Sequence, residues 1–108
     1  MRKSKLNVLK EAVEGKKKLR IVYQDDTGDR LLYPHALYEF SPKHILMDAY
    51  QIEGFTKTST KFPKWKTFVV KNIKNVKVID ESFRTIRSFE PDSDRYVNSI
   101  VLAKKYKS

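Results

Sequence analysis

Between residues 57 and 77 the chain carries seven lysines and no carboxylate, and its only tryptophan, Trp65, stands between Lys64 and Lys66. Ammonium groups beside an indole suit one chemistry well: they neutralise phosphates while the flat ring stacks a base or a sugar. Lys66, Lys71 and Lys74 flank the apolar run of this stretch, and as point charges they would meet phosphates without reading bases. Arg30 adds a planar guanidinium that can fork two hydrogen bonds to a phosphate, or pair across a turn with Asp25, Asp26 or Asp29. Each group also has a plainer use. Lysines protect a sheet edge from aggregation, and a tryptophan that opens a strand fills a core.

Catalytic chemistry has no comparable pattern. His35 and His44 are the only histidines. A catalytic pair, or a metal pair with Glu39 or Asp48, is conceivable, but no motif spacing surrounds them and both are read as surface residues. Gly15, Gly28 and Gly54 form no phosphate loop, and neither a Ser-His-Asp set nor paired carboxylates is signposted. With no cysteine, disulfides, thiolate chemistry and Cys-based zinc sites are excluded. No catalytic residue, metal or cofactor is therefore expected.

The charge balance points toward an anionic partner. The 108 residues carry a net charge of +10, distributed in blocks: +6 over residues 1–20 and +7 over 57–77, against −4 over 21–56 and −2 over 78–102. Clustered positive charge attracts polyanions through counterion release and steering, although lysine also serves as a plain solubiliser. A chain of this length fits one domain, residues 1–108. No apolar run approaches the ~20 residues that span a bilayer. Lys10, Glu11 and Glu14 interrupt any apolar stretch behind the basic N-terminus. Neither membrane contact nor a signal peptide is expected, and a cytoplasmic location is.

The elements that must position these groups are mostly short strands. Ser4 is placed to cap a helix over Lys5–Glu14, with Leu6, Leu9 and Val13 on one face and Gly15 ending it in a left-handed turn. Leu19, Ile21 and Tyr23 alternate on a first strand, and Asp25-Asp26-Thr27-Gly28 reads as its hairpin turn. The return strand from Arg30 is stopped or bent at Pro34, and Leu37–Phe40 makes another. In the strand from His44 to Ile52, Ile45, Met47 and Ala49 form an apolar face, with His44, Leu46, Asp48 and Tyr50 opposite. Trp65–Val70 and Val76–Asp80 complete the set. A C-terminal helix from Arg95, capped by Asp92 or Asp94, would share Tyr96, Ile100 and Ala103 on one face. The fold class is mainly β with flanking α, a small strongly bent antiparallel sheet or open barrel.

The order of these residues resembles the WYL domain, a ligand-sensing module of bacterial transcription regulators. The likeness spans residues 9–83, leaving 84–108 as an extension. It rests on Leu19-Arg20-Ile21-Val22-Tyr23, Gly28, and Arg30-x-Leu32-x-Pro34-x-x-Leu37. It continues through Ala49-Tyr50 and Thr67-Phe68-Val69-Val70-Lys71-Asn72-Ile73, and closes on Val76, Ile79 and Phe83. The family is named for Trp-Tyr-Leu; here His44-Ile45-Leu46 stands in that place, and Val69 and Asn72 replace two arginines of the closing strand. The resemblance implies an SH3- or Sm-like barrel with ligand contacts on the closing strand. Members commonly carry a DNA-binding winged helix, for which this chain has no room, so a stand-alone module is implied.

Together these readings predict a non-catalytic regulatory module that binds a nucleotide or a single-stranded nucleic acid. Its candidate contacts are Arg30, His44, Trp65, Lys66, Lys71 and Lys74. The rival expectation is a protein-interaction or oligomerisation module of a bacterial regulatory or defence system, and open barrel edges make a homodimer the expected assembly.

Overall fold

Helix α1 (Lys5–Glu14) leads directly into strand β1 (Lys17–Tyr23), and the two-residue turn between them fixes how the helix lies on the sheet. The computed structural model describes residues 3–57 and 61–107. Ser4 caps α1 as predicted, its hydroxyl accepting from the Asn7 N–H at 3.2 Å. The left-handed residue after the helix is Lys16, with φ 51, and not Gly15, which remains helical at φ −85 while its N–H bonds back to Glu11. Holding an L-residue in that region costs ~1–2 kcal/mol.

Six strands form one antiparallel sheet: β1, β2 (Arg30–Ser41), β3 (His44–Gly54), β4 (Lys64–Val69), β5 (Ile73–Ser82) and β6 (Ser99–Leu102). The hydrogen-bonded order is β4-β3-β2-β1-β5, with β6 added to β2. A 3-10 turn over Val70–Asn72 carries the chain from one edge of this path to the other. The fold is mainly β with a flanking helix, as the sequence predicts.

β2 does not stop at Pro34, and Leu37–Phe40 is its second half and not a separate strand. On one side it pairs with β3 throughout; on the other, Arg30–Leu32 pair with β1 and Ala36–Tyr38 with β6. Pro34 falls at the changeover from β1 to β6, opposite Ala49 of β3. The register shift against β3 between Pro34 and Ala36 bends the strand there.

The predicted C-terminal helix is absent. Ser93, and not Asp92 or Asp94, caps a 3-10 turn of three residues, Asp94–Tyr96, and the chain then extends into β6. Ser99, Val101 and Leu102 pair with the free half of β2, a gain that a lone short helix could not match.

The core gathers Leu9, Ala12 and Val13 of α1 with Leu19, Ile21, Leu32, Leu37, Met47, Ala49, Phe68 and Ile73 of the sheet. Of the predicted apolar face, Met47 and Ala49 are fully buried and Ile45 partly so. Phe89 and Ala103 belong to the same core, so the segment that carries them packs with the sheet as one unit. Phe68 is 2% exposed and meets the edge of the Tyr23 ring at 5.0 Å.

Phe68→Ala is expected to cost about 3–5 kcal/mol in chemical denaturation, through the cavity it leaves. Gly54 has φ 106, and a Cβ there would strike the backbone of Asp29 and Arg30. Gly54→Ala is therefore expected to lose about 2 kcal/mol or more by the same measurement.

Candidate anion-binding cleft

Asp48 is the point at which three separate parts of the chain meet. It lies on β3 opposite Thr67 of β4 and is 5% exposed. Its Oδ1 accepts from the Tyr38 hydroxyl at 2.9 Å and the Thr67 hydroxyl at 2.7 Å. Its Oδ2 accepts from Arg95 Nε and from the Tyr96 hydroxyl, each at 2.7 Å. Burial would push the carboxyl up, but the hydrogen bonds from Arg95, Tyr96, Thr67 and Tyr38 outweigh it and hold it below its ordinary value. The same environment raises both phenols, with burial the larger cause, and pushes Tyr38 up to about 12. Asp48 is thereby committed to holding the 3-10 turn of residues 94–96 against the sheet.

That docking creates a cleft of ≈ 360 Å³ beside β4. Its walls are Trp65, Phe89 and Tyr96; Lys66 and Arg95 bring cationic groups, and Ser88 a hydroxyl. Glu90 and Asp48 are the carboxylates of the lining. Trp65 Nε1 donates to Ser88 Oγ at 2.9 Å, and its ring lies edge-on to Tyr50 at 5.1 Å and tilted over Phe89 at 6.0 Å. The indole therefore packs on the core and lines the cleft as well. Arg95 keeps its side chain 51% exposed; Nε and NH2 serve Asp48 and Thr67, while NH1 has no partner among the described residues. Lys66 is lowered from its ordinary value by partial burial, then by the charges of Lys64 and Arg30, so it is a cation short of compensation.

Arg30 is not part of this surface. It is 6% exposed, and its Nε and NH2 grip the two oxygens of Asp26 at 2.8 and 3.1 Å. NH1 reaches Gln51 at 3.3 Å, and the guanidinium packs on the rings of Tyr23, Phe55 and Phe68. Of the alternatives open in the sequence, pairing with Asp26 is the one realised. His44 sits exposed at the β2–β3 turn, its Nδ1 2.7 Å from Ser41 Oγ. Lys71, on the 3-10 turn, and Lys74, on β5, are exposed and do not line the cleft. The candidate set thus splits: Trp65 and Lys66 come together, and Arg30, His44, Lys71 and Lys74 do not join them.

His35 corrects the surface reading. It is fully buried against Trp65, Phe83 and Phe89. Its Nδ1 lies 2.7 Å from the Tyr33 carbonyl and its Nε2 accepts the Ile86 N–H at 3.0 Å, the pattern of a neutral ring with its proton on Nδ1. Both nitrogens are used, and among the described residues no group of three His, Asp or Glu side chains is placed to hold a metal. None of the described helices is long and apolar enough to cross a membrane.

Arg95, Tyr96, Phe89, Ser88 and Asp48 escaped the sequence reading as cleft residues. Arg95 and Asp48 lie 47 positions apart, and nothing in local spacing marks them as partners. Set against known proteins, the chain matches no family model, no curated protein and no solved structure.

Burial, assisted by the charge of Lys16 and opposed by the Tyr33 hydrogen bond, lowers His35 from 6.5 to about 4. The unfolded chain then binds a proton that the folded chain refuses between those values, so stability is full above pH ~6.5 and falls on acidification toward pH ~4. The loss attributable to this group is about 3 kcal/mol. Denaturation across this range is expected to show a steeper loss for the native chain than for His35→Gln; parallel curves would remove the assignment.

Proposed function

We propose that this chain is a non-catalytic binding module for a nucleotide or a single-stranded nucleic acid, taken up at the cleft beside β4. One observation carries the reading: partly exposed aromatic rings, Trp65 and Tyr96 among them, share a concave wall with Lys66 and with a guanidinium whose NH1 has no partner among the described residues. Rings of this kind stack a heteroaromatic base, and the two cations neutralise the phosphate attached to it. The resemblance to the WYL domain supports the same class of ligand and a regulatory role. The net charge of +10 supports an anionic partner independently.

Because Trp65 is the only tryptophan, its fluorescence reports on this cleft alone. Titration with a mononucleotide and with oligothymidylate is expected to quench it. For a strand touching three or four phosphates, log affinity should fall with log salt at a slope of about −2 to −3. Lys66→Gln should flatten that slope, while the Lys71→Gln, Lys74→Gln double variant should leave quenching nearly unchanged. Absence of quenching by either ligand at low salt would overturn the proposal.

Phe40 and Val97 favour a second reading, a protein-contact surface. They are 75% and 80% exposed and border a groove of ≈ 290 Å³ that also takes in Leu46 and Asn98. If this groove receives a protein, a homodimer is the simplest occupant, and sedimentation should show self-association that Phe40→Lys abolishes.

A further inference from the structure

Five cations from three distant parts of the chain line a second, smaller hollow. Lys16 comes from the α1–β1 turn, Arg84 from the segment after β5, and Lys104, Lys105 and Lys107 from the segment after β6. Thr85 and Tyr106 complete the lining, and among the described residues no carboxylate belongs to it. The neighbouring acids of β5 are already committed, Asp80 to Lys17 at 3.0 Å and Glu81 to Lys18 at 2.9 Å. Among the described residues, none of the five cations takes part in an ion pair.

The walls are fixed by backbone contacts and not by the cations themselves. The Phe83 N–H donates to the Lys16 carbonyl at 2.9 Å and the Ala103 N–H to the His35 carbonyl at 2.7 Å. The Thr85 hydroxyl donates to the Lys104 carbonyl at 2.6 Å. Lys16 is held in the left-handed region, φ 51, where glycine would sit without strain, and its charge reaches far enough to depress buried His35. Five like charges fixed on one concave surface repel one another, and an anion of several charges relieves that repulsion.

Size and surroundings narrow the anion. The hollow measures ≈ 220 Å³, below the ~300–1,000 Å³ of pockets that enclose a drug-sized molecule. The adjoining hollow shares Lys105 but carries Glu90 and Asp92, so the acid-free lining ends there. We propose that this hollow is a binding site for a short phosphate chain, a pyrophosphate or triphosphate moiety, separate from the aromatic cleft. The charge runs of the sequence conceal it, because no two of the three contributing segments are adjacent in the chain.

The test uses the full chain and inorganic tripolyphosphate, with sodium chloride at matched ionic strength as the control. Saturable amide shifts are expected at Lys16, Thr85 and Lys104, with a rise in Tm beyond the salt control, since a ligand that binds only the folded state stabilises it. Trp65 fluorescence should not change, which keeps this result apart from binding at the aromatic cleft. The Lys104→Ala, Lys105→Ala double variant should lose both responses. Lys16→Gly should weaken binding while leaving the free protein as stable or more so, an outcome that misfolding cannot imitate. An oligonucleotide without terminal phosphate that competes assigns the site to a nucleic-acid backbone; one that fails to compete assigns it to a free or terminal phosphate chain. Equal loss in the Lys71→Ala, Lys74→Ala variant would mean diffuse attraction and overturn the proposal, as would absence of any shift at low salt.

Discussion

Strand β2 has to satisfy partners on both edges along twelve residues, and most of the molecule is arranged around how it does so. β3 occupies one edge along its whole length, with shifts of register, but the other edge passes from β1 to β6 at Pro34. A proline, which donates no ladder bond, stands at this changeover, next to a shift of register against β3. The next residue, His35, turns a weak point into an anchor: its ring takes the Ile86 N–H, and its carbonyl takes the Ala103 N–H. Both ends of the C-terminal segment are thereby tied to the bend of β2. Only a neutral imidazole can both donate at Nδ1 and accept at Nε2, so the burial that lowers its basicity also preserves the contact.

Two buried carboxylates do different work on either side of that bend. Asp26 and Arg30 close the first hairpin as a fully enclosed pair with a bidentate fork, and the guanidinium is further packed by three rings. Such a pair adds little net stability but is costly to break, because the survivor is left charged and unpaired. Asp48 collects hydroxyl donors from three elements and a guanidinium that remains half in water. One pair is finished internally. The other leaves donor capacity at the surface, and it is there that the aromatic cleft opens.

Both hollows owe their form to residues 84–107. Docking of the 94–96 turn supplies Arg95 and Tyr96 to the aromatic cleft, and the tail after β6 supplies three of the five cations of the smaller hollow. The aromatic cleft mixes charges and offers rings; among the described residues the smaller hollow has no acid and a single ring, Tyr106. This difference in size and charge is why a ligand carrying a base is proposed for the first and a bare phosphate chain for the second.

Alternation of apolar residues was enough to define the strands around Ile21, Met47 and Phe68 and the helix over Lys5–Glu14, because these periodicities are local consequences of backbone geometry. The bent, mainly β character followed from short strands with tight turns. Trp65 and Lys66 were legible as neighbours on one surface because they adjoin in sequence. Tertiary structure decided the rest. Whether Arg30 faces a ligand or Asp26 depends on which neighbour the hairpin brings within bonding distance. The burial of His35 depends on Trp65, Phe83 and Phe89 closing over it from other elements. The segment after Tyr96 extends because the free half of β2 offers ladder bonds, a gain that no local propensity records. Periodicity reports which face of an element is apolar; it carries no information about which distant residues will be pressed against the polar groups on that element.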